Sequence, residues 1–226
     1  MPATTQQKID LGSRVHDLLL QPQCQMIDFD FAFSHGYGYN RHKVDGFGFA
    51  HVALCLTTPL GSGRGLSVDV RRLRAGVGAQ YDDASNVLVF PSVHFGQTQQ
   101  ERRDVIHECT HALRDALGAK SRINGAAGVP LGRTRGVEEE AEAYIAGQLF
   151  LAYDAMKMGW TIEQPTDPVY AAAQVIAEKL FDQPGALVGV GDHAELRKAI
   201  LANPTYDFMH KNPNFRYSPG ANGIRL

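Results

Sequence analysis

Residues 6–20 carry apolar side chains at Ile9, Val15, Leu18 and Leu19. That near-helical spacing predicts an amphipathic helix docked on the rest of the chain. The texture changes at Met26. Runs rich in β-branched and aromatic residues follow at 26–33, 47–57, 66–73 and 87–90, and they predict strands. Glycine-bearing stretches separate them, Gly36-Tyr37-Gly38-Tyr39-Asn40 and Gly61-Ser62-Gly63-Arg64-Gly65, which predict turns. The expectation for this half is a small, mainly antiparallel sheet.

Beyond Pro91 the pattern becomes helical. A helix is predicted over 98–117, with Gly118 as its C-terminal stop. Further helices are predicted at 137–158, 168–181 and 192–201. The last stretch, 203–226, holds Pro204, Pro213 and Pro219 and reads as an extended clasp. Strands followed by helices mean an α+β class. The expected organisation is one domain over 1–226: mainly strands to 97, mainly helices over 98–202, then the tail.

Composition narrows the classes. The chain has 226 residues, 44% hydrophobic and 20% charged, as in an ordinary globular protein with a sizeable core. A net charge of -2 gives no basis for binding nucleic acid or an anionic membrane surface. No apolar run approaches the roughly 20 residues that span a bilayer. The first twenty residues lack the order of a signal peptide, so the expectation is a cytoplasmic protein, or one exported without a cleaved signal. Cys24, Cys55 and Cys109 are too scattered for a disulfide framework.

The candidate chemistry lies at His107-Glu108-Cys109-Thr110-His111. Histidines four residues apart project from one face of a helix and can hold one zinc ion, with the intervening glutamate beside the open coordination position. Cys109 points about 200° away from His107 and reads as a buried hydrophobe.

A catalytic zinc usually takes three protein ligands. The next helix opens Val137-Glu138-Glu139-Glu140-Ala141-Glu142. Acidic residues at a helix N-terminus favour the helix dipole whatever else they do. Ala141, Ile145, Leu149 and Ala152 form an apolar stripe that Glu138 continues, so the stripe favours Glu138 as the ligand over Glu139 or Glu140. Glu142, one turn on, is then the candidate acceptor steering one of the histidines. Asp115 lies one turn beyond His111 and either orients a ligand or pairs with a loop cation.

The run His107 to Asp115 resembles the active-site helix of thermolysin-like zinc metallopeptidases, the gluzincins. These share a His-Glu-x-Thr-His-Ala core and take a third ligand Glu from the next helix, commonly with a small residue and an acid following. Glu138, Ala141 and Glu142 match that arrangement, with Glu where the family usually has Asp. Residues 138–146 also look like the corresponding helix of compact bacterial zinc peptidases of the regulatory, repressor-cleaving kind. The resemblance covers about residues 85–150 and implies a zincin-like fold, one zinc ion per chain and a polypeptide substrate.

It further implies hydrolysis of a peptide bond by metal-activated water, with Glu108 as general base. His193 and Tyr206 are the candidate oxyanion donors, although a His at a helix start and a Tyr in a tail are usually structural. In the resembled family the strand before the motif helix pairs with substrate, which would make 87–90 an edge strand. The segment 116–137 carries Lys120, Arg122, Arg133 and Arg135, as a loop closing on acidic substrate or a solvated loop would. His35, His42, His51 and His94 lack metal spacing and read as structural or surface residues. Two other functions fit the pattern: a zinc-stabilised binding or regulatory module without turnover, and a delivered effector or toxin protease.

Overall fold

A computed structural model describes residues 2–35, 38–56, 65–74, 76–123, 136–162 and 164–212, and the side chains of all these but 34–35, 38–40 and 117–123. Helix α1 (Thr5–Leu19) begins at a capping box: Gln7 N–H donates to Thr4 Oγ1, and Thr4 N–H donates to Gln7 Oε1. It buries Leu11, Val15, Leu18 and Leu19. A short helix, α2 (Pro22–Gln25), leads into β1 (Asp28–His35) and β2 (Gly38–Asp45), an antiparallel pair in register from Asp28↔Asp45 to His35↔Gly38.

The expected strand over 47–57 is instead α3 (Gly46–Leu56). A continuous apolar run fits a buried helix as well as a buried strand. Two local features select the helix. Asp45 Oδ1 accepts from Gly48 N–H at 2.8 Å, an N-cap contact. Gly48 then packs so closely that a Cβ there would lie 2.6 Å from Leu113 Cδ1.

Strands β3 (Ser67–Val70), β4 (Gln80–Asp82) and β5 (Val87–Phe90) form a second sheet of order β3-β5-β4. β3 runs parallel to β5, and β4 antiparallel to it. β6 (Leu187–Val188) joins the first sheet parallel to β1, giving the order β2-β1-β6. The expected mainly antiparallel sheet is therefore two three-stranded mixed sheets. Val87–Phe90 is the central strand of its sheet, not an edge; β4 is an edge.

The helical half follows the expected order. α4 (Gln99–Ile123) starts at a second capping box: Glu101 N–H donates to Thr98 Oγ1, and Thr98 N–H to Glu101 Oε2. It continues through Gly118, where a stop was expected. Then come α5 (Gly136–Met158), α6 (Pro168–Asp182), α7 (Ala194–Ala202), a 3-10 turn (Pro204–Tyr206) and α8 (Asp207–Lys211). The expected extended tail is thus helical over 204–211, and the remainder from 213 lies outside the described residues, as do Arg133, Arg135 and the expected turn at 61–65 except Gly65.

α4 packs between α3 and α5, and α5 packs in turn on α6 and α7. Phe49, Phe90, Ile106, Leu113, Ile145 and Phe150 are fully buried around this layer. Each such side chain contributes roughly 1.5–3 kcal/mol relative to exposure. α4 and α5 cross closely at Gly147, where a Cβ would lie 3.2 Å from Arg103 O. That approach is one turn before His107, and it sets how near α5 comes to the motif. Among the described residues, no helix is long and apolar enough to cross a membrane.

Candidate metal centre

His107 and His111 stand one turn apart on α4, with their Nε2 atoms 3.3 Å from each other. The carboxylate that meets them comes from α5. Glu140 Oε2 lies 3.2 Å from His107 Nε2, and Glu140 Oε1 lies 3.7 Å from His111 Nε2. Four-coordinate zinc with bonds of about 2.0–2.1 Å holds its ligand atoms about 3.3–3.4 Å apart. Glu140 turns a different oxygen toward each histidine, and the two imidazoles and the carboxylate lie close enough together to hold a metal ion.

The electrostatics agree with a cation site. Burial alone would raise the Glu140 pKa, but His111 and His107 hold it well below the usual carboxylate range. Burial opposes a charge on His111, yet Glu140 outweighs it and lifts that pKa to about 9.

Glu108 sits beside the cluster, its Oε1 3.9 Å from His107 Nε2. Tyr81 N–H, from β4, donates to Glu108 Oε2 at 2.6 Å. Burial pushes the Glu108 pKa up, against the pull of His107 and His111. Tyr206, in the 3-10 turn, donates from its hydroxyl to Glu140 Oε2 at 2.8 Å and lies 2.8 Å from the Tyr144 hydroxyl. The Tyr144 ring stands edge-on to His107, centroids 4.5 Å apart. A cleft of about 720 Å³ opens over Glu108, with Tyr81 on one wall and Tyr206 on another.

Several expected roles move. Glu138 does not reach the histidines; it is fully buried and its Oε1 lies 3.4 Å from Arg197 on α7. The reason is that α5 is buried on nearly every side from Glu138 to Leu151, so the apolar stripe did not single out the face toward α4. Glu140 lies two residues from Glu138, on roughly the opposite face. Glu142 steers neither motif histidine: Arg114 Nε donates to its Oε2 at 2.8 Å, and His42 Nδ1 lies 2.5 Å from its Oε1. The position one turn after Glu140, where the resembled family carries an acid, is Tyr144.

Asp115 accepts from the Tyr81 hydroxyl at 2.8 Å. His193 is remote from the cluster, fully buried, stacked on Phe31 and donating from Nε2 to Ala32 O at 2.9 Å. Tyr206 does reach the site. Tyr81, Tyr144 and Arg114 were not anticipated, whereas His42, read from sequence as a structural or surface residue, is buried against Glu142. Only Arg114 carried a signal, since it lies one turn past His111 on the motif helix. Compared with family models, curated proteins and solved structures, the chain matches none.

Proposed function

We propose that this chain is a zinc-dependent hydrolase of peptide bonds, with His107, His111 and Glu140 as the metal ligands. One observation carries the reading: two imidazoles and one carboxylate from two helices converge closely enough to hold a metal ion, with the Glu108 carboxylate beside them. The resemblance of residues 107–115 to the gluzincin motif helix supports it, with Glu140 in place of Glu138 as the ligand. When bound, zinc would supply a Lewis acid that makes water acidic near neutral pH and polarises a carbonyl.

The protein groups then have defined tasks. Glu108 takes the proton of the attacking water at Oε1, its Oε2 being held by Tyr81 N–H, and delivers it to the leaving amine. Its burial raises its pKa and makes it a stronger base. Burial also keeps the Tyr206 phenol protonated, its pKa raised well above the ordinary value. Tyr206 O–H, which donates to Glu140 Oε2 in this structure, would serve developing oxyanion charge at the cleft wall by giving up that bond. A site that only stabilised the fold would not need a carboxylate at position 108.

The test is Glu108→Gln, with cleavage read as new termini in a peptide library. The variant should keep one metal ion per chain and lose roughly 100-fold or more in rate. Full activity would remove Glu108 from the chemistry, and a wild-type protein that cleaves no peptide would remove the peptidase reading.

A further inference from the structure

Resting on that reading, we infer that Tyr81 is the positioning residue for Glu108, gripping the motif helix at two points. β4 is a three-residue edge strand, paired with β5 through Gln80↔Val89, Tyr81↔Leu88 and Asp82↔Val87. The Tyr81 N–H leaves this ladder and donates to Glu108 Oε2 at 2.6 Å. The hydroxyl of the same residue lies 2.8 Å from Asp115 Oδ2 and 3.0 Å from Asn86 Oδ1. A phenol has one proton, and the shorter contact is to the carboxylate, so the donation goes to Asp115.

The spacing on α4 makes the arrangement a clamp. Glu108 and Asp115 are seven residues apart, two turns of one helix face and about 10 Å along the axis. A single residue of the neighbouring strand spans both, main chain to one and side chain to the other. Asn86 closes the β4–β5 turn with a left-handed φ of 56°, one of few residue types that tolerate it, and brings its side chain back to the Tyr81 hydroxyl. Asp115 is 4% exposed, and its contact with the half-buried Tyr81 lies on the wall of the cleft.

Glu108 Oε2 is the oxygen held, which leaves Oε1 as the one nearer His107. Catalysis is sensitive to such placement: a misplacement of about 1 Å can cost roughly 100-fold. Asp115 thus reaches Glu108 through Tyr81 and β4. Tyr81 touches no reacting atom.

Amide exchange of the full-length chain, followed by NMR at residue 81, tests the clamp without any turnover. The Tyr81 amide proton should resonate downfield and exchange slowly in wild type, and Glu108→Gln should move it upfield. Tyr81→Phe and Asp115→Asn should each speed its exchange roughly tenfold, the worth of one hydrogen bond. Tyr81→Phe should retain the metal and its affinity, while kcat falls roughly tenfold or more with KM unchanged. An unmoved amide in Glu108→Gln, an unchanged exchange rate in Tyr81→Phe, or loss of metal from Tyr81→Phe would each overturn the inference. Should the wild-type protein cleave nothing, the peptidase reading fails and the exchange rates still decide whether the clamp exists.

Discussion

Arg114 on α4 donates from Nε to Oε2 of Glu142 on α5 at 2.8 Å, and both side chains are buried. His42 of β2 takes the other carboxylate oxygen. One carboxylate therefore ties together the two helices that carry the candidate metal ligands and a strand of the first sheet. Glu140 lies half a turn from Glu142, so this buried pair also helps fix the rotation of α5 that aims Glu140 at the histidines.

Removing one partner of a buried pair leaves the other charge uncompensated, which typically costs about 3–5 kcal/mol. Glu142→Ala should destabilise the metal-free chain by about that much in urea denaturation. Glu142→Gln, which keeps the shape and part of the hydrogen bonding, should cost less. A loss for Glu142→Ala no larger than that of an exposed surface substitution would mean the pair does not organise the helices.

His193 gives a pH dependence of known sign. Burial depresses its pKa, while donation to the Ala32 carbonyl opposes the shift. The folded state therefore resists a proton that the unfolded chain accepts near pH 6.5. Its contribution to stability is whole above that pH and declines as pH falls from about 6.5 toward the folded-state pKa. His193→Phe abolishes this titration, so the gap in unfolding free energy between wild type and variant should narrow between about pH 7.5 and pH 5.5. A gap that stays constant would show that His193 does not titrate with unfolding.

The three thiols should be silent in the native protein. Burial pushes Cys24 and Cys109 well up and Cys55 to about 11, and the thiolate is the reactive form. A thiol reagent at about pH 7.5 should find none of them until denaturant is added, and then all three. Rapid labelling of the folded chain would show that at least one is accessible.

The sequence made the site's helices legible and left its orientation hidden. Thr98 and Glu101 mark the start of α4, and the four-residue spacing of the histidines requires the helix on which they act as a pair. Choosing among Glu138, Glu139 and Glu140 needed a helix with one buried face, and α5 is buried nearly all round. The same ambiguity turned 47–57 from an expected strand into α3, because a run apolar on every side has no period to read. Tyr81 was out of reach for another reason. A three-residue edge strand has too little alternation to detect, and its key contact uses the main chain, which no side-chain pattern records. Tyr206 was legible only as an aromatic residue downstream; the 3-10 turn that carries it to Glu140 closes over 66 residues of intervening chain.

Metal titration of the single-site variants decides most directly whether His107, His111 and Glu140 form one cation site. Wild type should bind one zinc ion per chain, and Glu140→Ala should lose roughly 100-fold or more in affinity, beyond the cost of losing an outer hydrogen-bond partner. Glu138→Ala should bind zinc nearly as wild type does, whatever it costs in stability through Arg197. Zinc retained by Glu140→Ala and lost by Glu138→Ala, or a folded wild-type chain that binds none, would contradict the arrangement described.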